Sequence, residues 1–252
     1  MDWECQPCLD GGGRDACGWG IRVKTKIVMI LLWTASLAAI AASQEKVAKL
    51  SLAEVIEVLN SSAWAKQETF TRVVSGVGSG ESGEKEIFNT FYVRIISAKP
   101  IREALARLQQ IQYGYDELPS EIKSRFDDYV STELLSGFGD WIVVSVSFRS
   151  NAPQEESNVR RFFQKETAET LKNKAFLSTE QFSQVPIQTY FSPRDEGIGA
   201  KFVFPRQVDG VPILSARSKS IAFELLDVPT ASPRLRVRFS VKDMIINGRL
   251  LY

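Results

Sequence analysis

The sequence predicts an α+β fold, and three observations carry that prediction. Segments of helical period and segments of alternating period succeed one another between residues 51 and 173. From Ala175 onward the texture changes to short strand-like runs punctuated by Pro186, Pro193, Pro205, Pro212, Pro229 and Pro233. The closing MIINGRLLY carries Asn247-Gly248, the dipeptide of a two-residue hairpin turn. The expected architecture is helices packed on an antiparallel sheet, then a β-rich C-terminal portion arranged as an antiparallel meander. Residues 44–252 are read as a single α+β domain with a possible sub-boundary near residue 175, where the β-rich 176–252 begins.

Residues 1–20 are Gly-rich, have no hydrophobic period and hold all three cysteines, Cys5, Cys8 and Cys17. Cys5 and Cys8 have the spacing of a metal or redox pair. With Cys17 they complete no zinc pattern, and the chain has no histidine to supply a fourth ligand. This stretch reads as a leader ahead of the true start, with translation beginning near Ile21 or Val23. Residues 21–43 read as a cleavable signal peptide. Arg22, Lys24 and Lys26 are its basic n-region, Ile27 to Ala42 its apolar run, and Ala39, Ala41, Ala42 and Ser43 the small side chains a signal peptidase admits. The run is shorter than the roughly 20 apolar residues that cross a bilayer core. An inner-membrane anchor through 27–42 is the competing reading. The expected location is the periplasm or the medium, with membrane contact only transient, through this segment.

Residues 44–252 carry 27 basic and 26 acidic side chains, a balance that gives no reason to expect nucleic acid as a partner. They contain neither Cys nor His. Without thiols no disulfide forms, which suits a bacterial envelope protein better than an exported eukaryotic domain. Without imidazole, a Ser-His-Asp triad, a His-based zinc site and a histidine proton shuttle are excluded. No cofactor is expected.

Ser51 and Glu54 form a capping box, and Leu52, Val55, Ile56 and Leu59 follow at helical spacing, so residues 51–60 are predicted helical. Trp64 is placed to close that helix against a sheet. Residues 68–77 read as a strand, 75–83 as a glycine-rich loop or lid, and 87–96 as a central strand with apolar residues on both faces. The loop's GVGSGESG superficially resembles a phosphate-binding turn but lacks the Gly-Lys-Ser/Thr that would hold a nucleotide. Pro100 opens a second helix, with Ile101, Ala104, Leu105, Leu108 and Ile111 on its apolar face. A third starts near Ser120, with Ile122, Phe126, Tyr129, Val130 and Leu134 on one face, and Gly137-Phe138-Gly139 stops it. Residues 140–149 alternate cleanly: Ile142, Val144, Val146 and Phe148 inward, Val143, Ser145, Ser147 and Arg149 opposite. Residues 151–156 read as a turn and 157–173 as a fourth helix. Strand-like runs then occupy 176–177, 185–191, 199–204, 220–226 and 234–241.

Three sets of residues are candidates for chemistry. Ser120-Glu121-Ile122-Lys123 fits the Ser-x-x-Lys nucleophile motif, but the companion Ser-Asp-Asn and Lys-Thr-Gly are missing. Asp116, Glu117, Asp127, Asp128, Asp195 and Glu196 could supply a carboxylate pair for glycoside hydrolysis, and Asp195-Glu196 an oxygen-only calcium site. Arg234, Arg236 and Arg238 alternate with Leu235, Val237 and Phe239, and Lys242 continues the basic side. In a strand this is one cationic stripe over one apolar face, suited to an anionic partner. No catalytic, cofactor-binding or metal residue is assigned. The expected function is a non-catalytic binding or structural module of the bacterial cell envelope, its partner an envelope protein or an anionic polymer. A carboxylate-dependent extracytoplasmic hydrolase acting on glycans is the alternative. Mass spectrometry of the purified protein checks the export reading: the mature chain should begin at Ala42 or Gln44, and a chain retaining residues 22–43 would identify an anchor.

Overall fold

The computed structural model describes residues 50–75, 84–194 and 198–252. The leader, the signal segment, the glycine-rich loop at 76–83 and Asp195-Glu196 lie outside the described residues. Helix α1 (Leu52–Asn60) starts on the expected capping box: the Ser51 amide donates to Glu54 Oε2 at 2.8 Å, and the Glu54 amide to Ser51 Oγ at 3.4 Å. Strands β1 (Ala65–Ser75) and β2 (Glu84–Ile95) follow as a long antiparallel hairpin. β1 begins three residues earlier than its sequence pattern predicts, because Ala65 is buried under α1 while most of the strand is exposed. Trp64 turns the corner between them and donates its indole N–H to the Leu251 carbonyl at 2.5 Å.

Helix α2 (Lys99–Gln112) starts with Pro100 in its first turn and buries Ile101, Ala104 and Ala106. It packs on α1. Helix α3 (Ser120–Tyr129) runs on into a wider π turn over Val130–Leu135. Arg102 of α2 donates to the Leu135 carbonyl at 2.5 Å, and Gly137, at φ +87°, stops the helix against that guanidinium. α3 itself buries none of its side chains; Ile122 and Tyr129 are exposed. Its predicted apolar face enters the core only at Val130, since a 3.6-residue stripe states which side is apolar and not whether anything covers it.

Strand β3 (Trp141–Ser150) pairs with β2, Phe91 opposite Phe148 and Ile95 opposite Val144. Helix α4 (Pro153–Lys165) and the short α5 (Ala168–Leu171) replace the single helix expected over 157–173. Pro153 sits in the first turn of α4 and so draws its start forward into the expected turn. Thr167 exchanges hydrogen bonds with Thr170 in a new capping box, which ends one helix and begins the next.

The remaining strands are β4 (Ala175–Ser178), β5 (Val185–Pro186), β6 (Thr189–Phe191), β7 (Ala200–Pro205), β8 (Gln207–Val208), β9 (Val211–Pro212), β10 (Ser220–Leu225), β11 (Leu235–Ser240), β12 (Ile245–Ile246) and β13 (Arg249–Leu250). They do not form the expected meander. β7 and β6 extend the first sheet, in the order β1-β2-β3-β7-β6, while a second sheet runs β11-β10-β4-β5. The run at 185–191 is therefore two strands, one in each sheet. The closing hairpin forms as predicted: Ile246 faces Arg249, with Asn247 and Gly248 both at positive φ.

Cross-strand partners share a face. Phe91, Val93, Ile95, Ile142, Val144, Val146, Ala200, Phe202 and Phe204 thus line one face of the first sheet. Ile221, Phe223, Leu225, Leu235, Val237, Phe239 and Leu177 line the facing side of the second. Phe223 joins the sheets, its ring 5.2 Å from Phe202 and 6.2 Å from Phe204. The first sheet's other face is also covered, by α1. Val143 and Ser145, expected opposite the core side of a one-sided strand, are fully buried in consequence. On that face Arg94 donates to Leu59 O, to Asn60 Oδ1 at 2.8 Å and to Ser147 Oγ at 2.9 Å. Burial lowers its guanidinium to about 10, against a smaller opposing effect of Tyr92. Among the described residues no helix is long and apolar enough to cross a membrane.

Gly199 immediately precedes β7 at φ +92°, and a Cβ there would lie 2.2 Å from the Val146 carbonyl oxygen. Gly199→Ala should cost about 3 kcal/mol or more, since left-handed strain and a backbone clash add. Gly248→Ala has open space around the new Cβ and should cost about 1–2 kcal/mol from conformation alone. Urea unfolding of both variants measures the difference.

Candidate functional site

The cleft arises where β3 outruns its neighbour. Val146–Ala200 is the last pair between β3 and β7, whereas β3 continues against β2 as far as Ser150. In this ladder the even-numbered residues of β3 turn their backbone toward β7, as the Asp140 carbonyl accepting from the Arg206 amide at 2.8 Å shows. The ladder would next engage Phe148, but Gly199 bends into the Val146 carbonyl and ends it. A cleft of about 160 Å³ opens there.

Its floor is apolar: Val146 and Phe148 from β3, Val159 and Phe163 from α4, all buried. Its rim is cationic. Arg149 comes from the end of β3, Arg160 from the outer side of α4 one turn before Gln164, and Arg194 from the connection between β6 and β7. Among the described residues one carboxylate, Glu156, lines it, and that group is engaged: Arg149 Nη1 donates to it at 2.9 Å and the Ser150 amide at 3.3 Å. Arg160 and Arg194 are exposed. A second cleft of about 290 Å³, lined by Phe138, Phe191, Ile198 and Lys201, shares Arg194 and Gly199.

The walls are held independently of any ligand. Glu155, beside Glu156 in the first turn of α4, accepts from Arg72 of β1 and from the Asn89 side chain of β2. Tyr190 of β6 donates its hydroxyl to the Phe163 carbonyl at 2.5 Å and packs its ring 5.2 Å from Phe202. Burial first, and then the Glu166 charge, hold the Tyr190 phenol well above its ordinary range.

The sequence-predicted residues fall elsewhere. In the stripe, Arg236 and Arg238 are exposed on β11, Arg234 just before it and Lys242 in the turn after it. Glu224 of β10 accepts from Arg234 at 2.9 Å and faces Arg236 Nε at 3.7 Å, so the stripe is partly neutralised at one end. Lys123 is directed away from Ser120, donating to the Asp116 carbonyl at 2.9 Å. Asp127 accepts from the Tyr115 hydroxyl, and none of Asp116, Glu117, Asp127 or Asp128 lines the cleft. Among the described residues no cluster of carboxylates could hold a metal ion. Arg149, Arg160 and Arg194 escape a sequence reading because they sit on three separate elements. Their one trace is the excess of 16 basic over 11 acidic side chains after residue 140.

No family model, no curated protein and no solved structure matches the chain.

The Tyr190 linkage has a definite sign. A phenol whose folded pKa is raised contributes stability that is fully present below its unfolded value near 10 and is lost as pH climbs above it. Tyr190→Phe should cost about 1 kcal/mol at pH 8. Its deficit against the wild type should shrink between pH 10 and 11, where the wild type alone loses the Tyr190 contribution. Urea unfolding of both proteins at the two pH values checks it.

Proposed function

We propose that the chain is a non-catalytic binding module of an exported bacterial protein, which holds the anionic group of an envelope polymer or envelope protein in the cleft of Arg149, Arg160 and Arg194. The observation that carries this reading is that Arg149, Arg160 and Arg194 line one cleft over an apolar floor, with Glu156 the one carboxylate among its described lining residues. Guanidinium groups are planar forks that match carboxylate, phosphate and sulfate oxygens two at a time. An apolar floor lowers the local dielectric, so an anion seated above it gains more than at a flat solvated face. The volume suits a charged terminus with a short stem rather than a whole small molecule. Export rests on residues 21–43, and the absence of His and Cys from residues 44–252 supports binding over turnover.

The glycan-hydrolase alternative requires two carboxylates facing one another across a scissile bond. The cleft contains Glu156, which Arg149 and the Ser150 amide already hold.

Calorimetric titration with polyglutamate and with polyphosphate tests the reading. Binding should weaken by about tenfold or more in an Arg160→Ala, Arg194→Ala double variant, and also on raising salt from 50 to 500 mM. Arg236→Ala, Arg238→Ala should leave it within about twofold. Loss through the β11 pair instead would move the site to the stripe. Turnover of a soluble glycan, abolished by one change at Asp116, Glu117, Asp127 or Asp128, would replace binding with catalysis.

A further inference from the structure

β1 is the outermost strand of the first sheet. The Trp64 carbonyl accepts from the Ile95 amide at 2.9 Å, so Lys66, Glu68, Phe70, Arg72 and Val74 turn their backbone toward β2. Gln67, Thr69, Thr71 and Val73 therefore present their N–H and C=O groups outward. Among the described residues no strand pairs with that edge, although β11 of the second sheet approaches β1. Natural sheets guard exposed edges with proline, bulges, short length or charge. β1 has 11 residues, no proline and an unbroken one-to-one register with β2. The side chains of its outward-bonding residues are uncharged and β-favouring, and Val73 is 54% exposed.

Its charges, Lys66, Glu68 and Arg72, lie on the other face, the one shared with Phe91, and of these Glu68 and Arg72 are complementary about Phe70. A two-fold axis at Phe70 sets Thr69 against Thr71, Gln67 against Val73 and Glu68 against Arg72, each pairing occurring twice. Any strand paired with its own copy about a two-fold axis repeats each pairing; what β1 adds is that the repeated Glu68–Arg72 pairing joins opposite charges. Glu68 is exposed, and Arg72, which reaches Glu155 through one nitrogen, keeps 44% of its side chain exposed. The hairpin supplies the space. Residues 71–75 and 84–88 extend beyond the β2–β3 ladder as a two-stranded arm, which Asn151 tethers at Phe88 and Glu86.

We infer that β1 is the dimerisation edge of this protein: a second copy adds its own β1 antiparallel across Phe70, each arm lying along the partner's edge, so that two five-stranded sheets become one continuous sheet. The cleft shares no lining residue with this edge, and Arg72, through Glu155 of α4, is the side chain that links the two.

Sedimentation velocity of the purified protein at tens of micromolar should show a dimer. Glu68→Arg sets two guanidinium groups against each other at both symmetric pairings, and Arg72→Glu sets two carboxylates against each other there. Each variant alone should run as a monomer, its dissociation constant raised about tenfold or more. In an equimolar mixture one pairing joins the two native residues and the other joins the two substituted ones. Both are then pairs of opposite charge, and the mixture should run as a mixed dimer. Thr69→Pro, which removes one outward N–H while leaving the ladder to β2 intact, should also be a monomer, independently of the Arg72–Glu155 pair. A wild-type monomer would overturn the inference, whether the edge is left open or is taken by another segment of this chain. So would a dimer that survives all three variants, or two charge variants that fail to recombine while circular dichroism shows both folded.

Discussion

The ring of Phe202 is the contact on which most of this architecture depends. It stands on β7 with Tyr190 of β6 at 5.2 Å, Phe163 of α4 at 6.4 Å and Phe223 of the second sheet at 5.2 Å. One fully buried aromatic thus joins two sheets and a helix. Truncating such a ring costs about 3–5 kcal/mol, a large share of a domain's net stability. The constraint also fixes the cleft. With Phe202 anchored, β7 must approach β3 in one register, and Gly199 is where the incoming backbone meets the Val146 carbonyl with no room for a side chain. The end of β3 is left open as a result, and α4, held by Phe163, forms the opposite wall.

The protein treats its arginines in three ways, and the differences separate structure from function. Arg94 is half-buried among neutral acceptors, with a guanidinium pKa lowered to about 10. It ties α1 to β2 and β3 and is unavailable to a ligand. Arg234 and Arg236 are exposed but share Glu224; pairs of this kind contribute at most about 1 kcal/mol and leave a weakened field. Arg160 and Arg194 stand exposed at the mouth of an apolar recess. The apolar floor and the local dielectric it sets, rather than the count of basic residues, favour the cleft over the stripe.

Local signals were faithful where the physics is local. The Ser51–Glu54 box, Pro100 in the first turn of α2, Asn247-Gly248 and the alternation of β11 each concern residues within a few positions of one another, and each took the expected form. Errors arose where a neighbour distant in sequence decides the outcome. Val143 and Ser145 looked half-exposed because nothing in their own segment announces that the sheet is covered on both faces. The run at 185–191 looked like one strand because its division depends on which sheet each half can reach. The apolar face of α3 looked like core because periodicity does not state whether a partner exists.

By itself, the sequence determined the class of fold, the existence and order of most elements, the chemistry that lack of His and Cys forbids in residues 44–252, and the alternation that leaves Arg236 and Arg238 exposed. Only the tertiary structure decided which strands share a sheet, and that Arg149, Arg160 and Arg194 line one cleft. Hydrogen-bond geometry and side-chain period act over a few residues and are written in adjacent letters. The meeting of β3, α4 and the β6–β7 connection is a long-range packing solution, set by the buried volume around Phe202 and the bare backbone at Gly199.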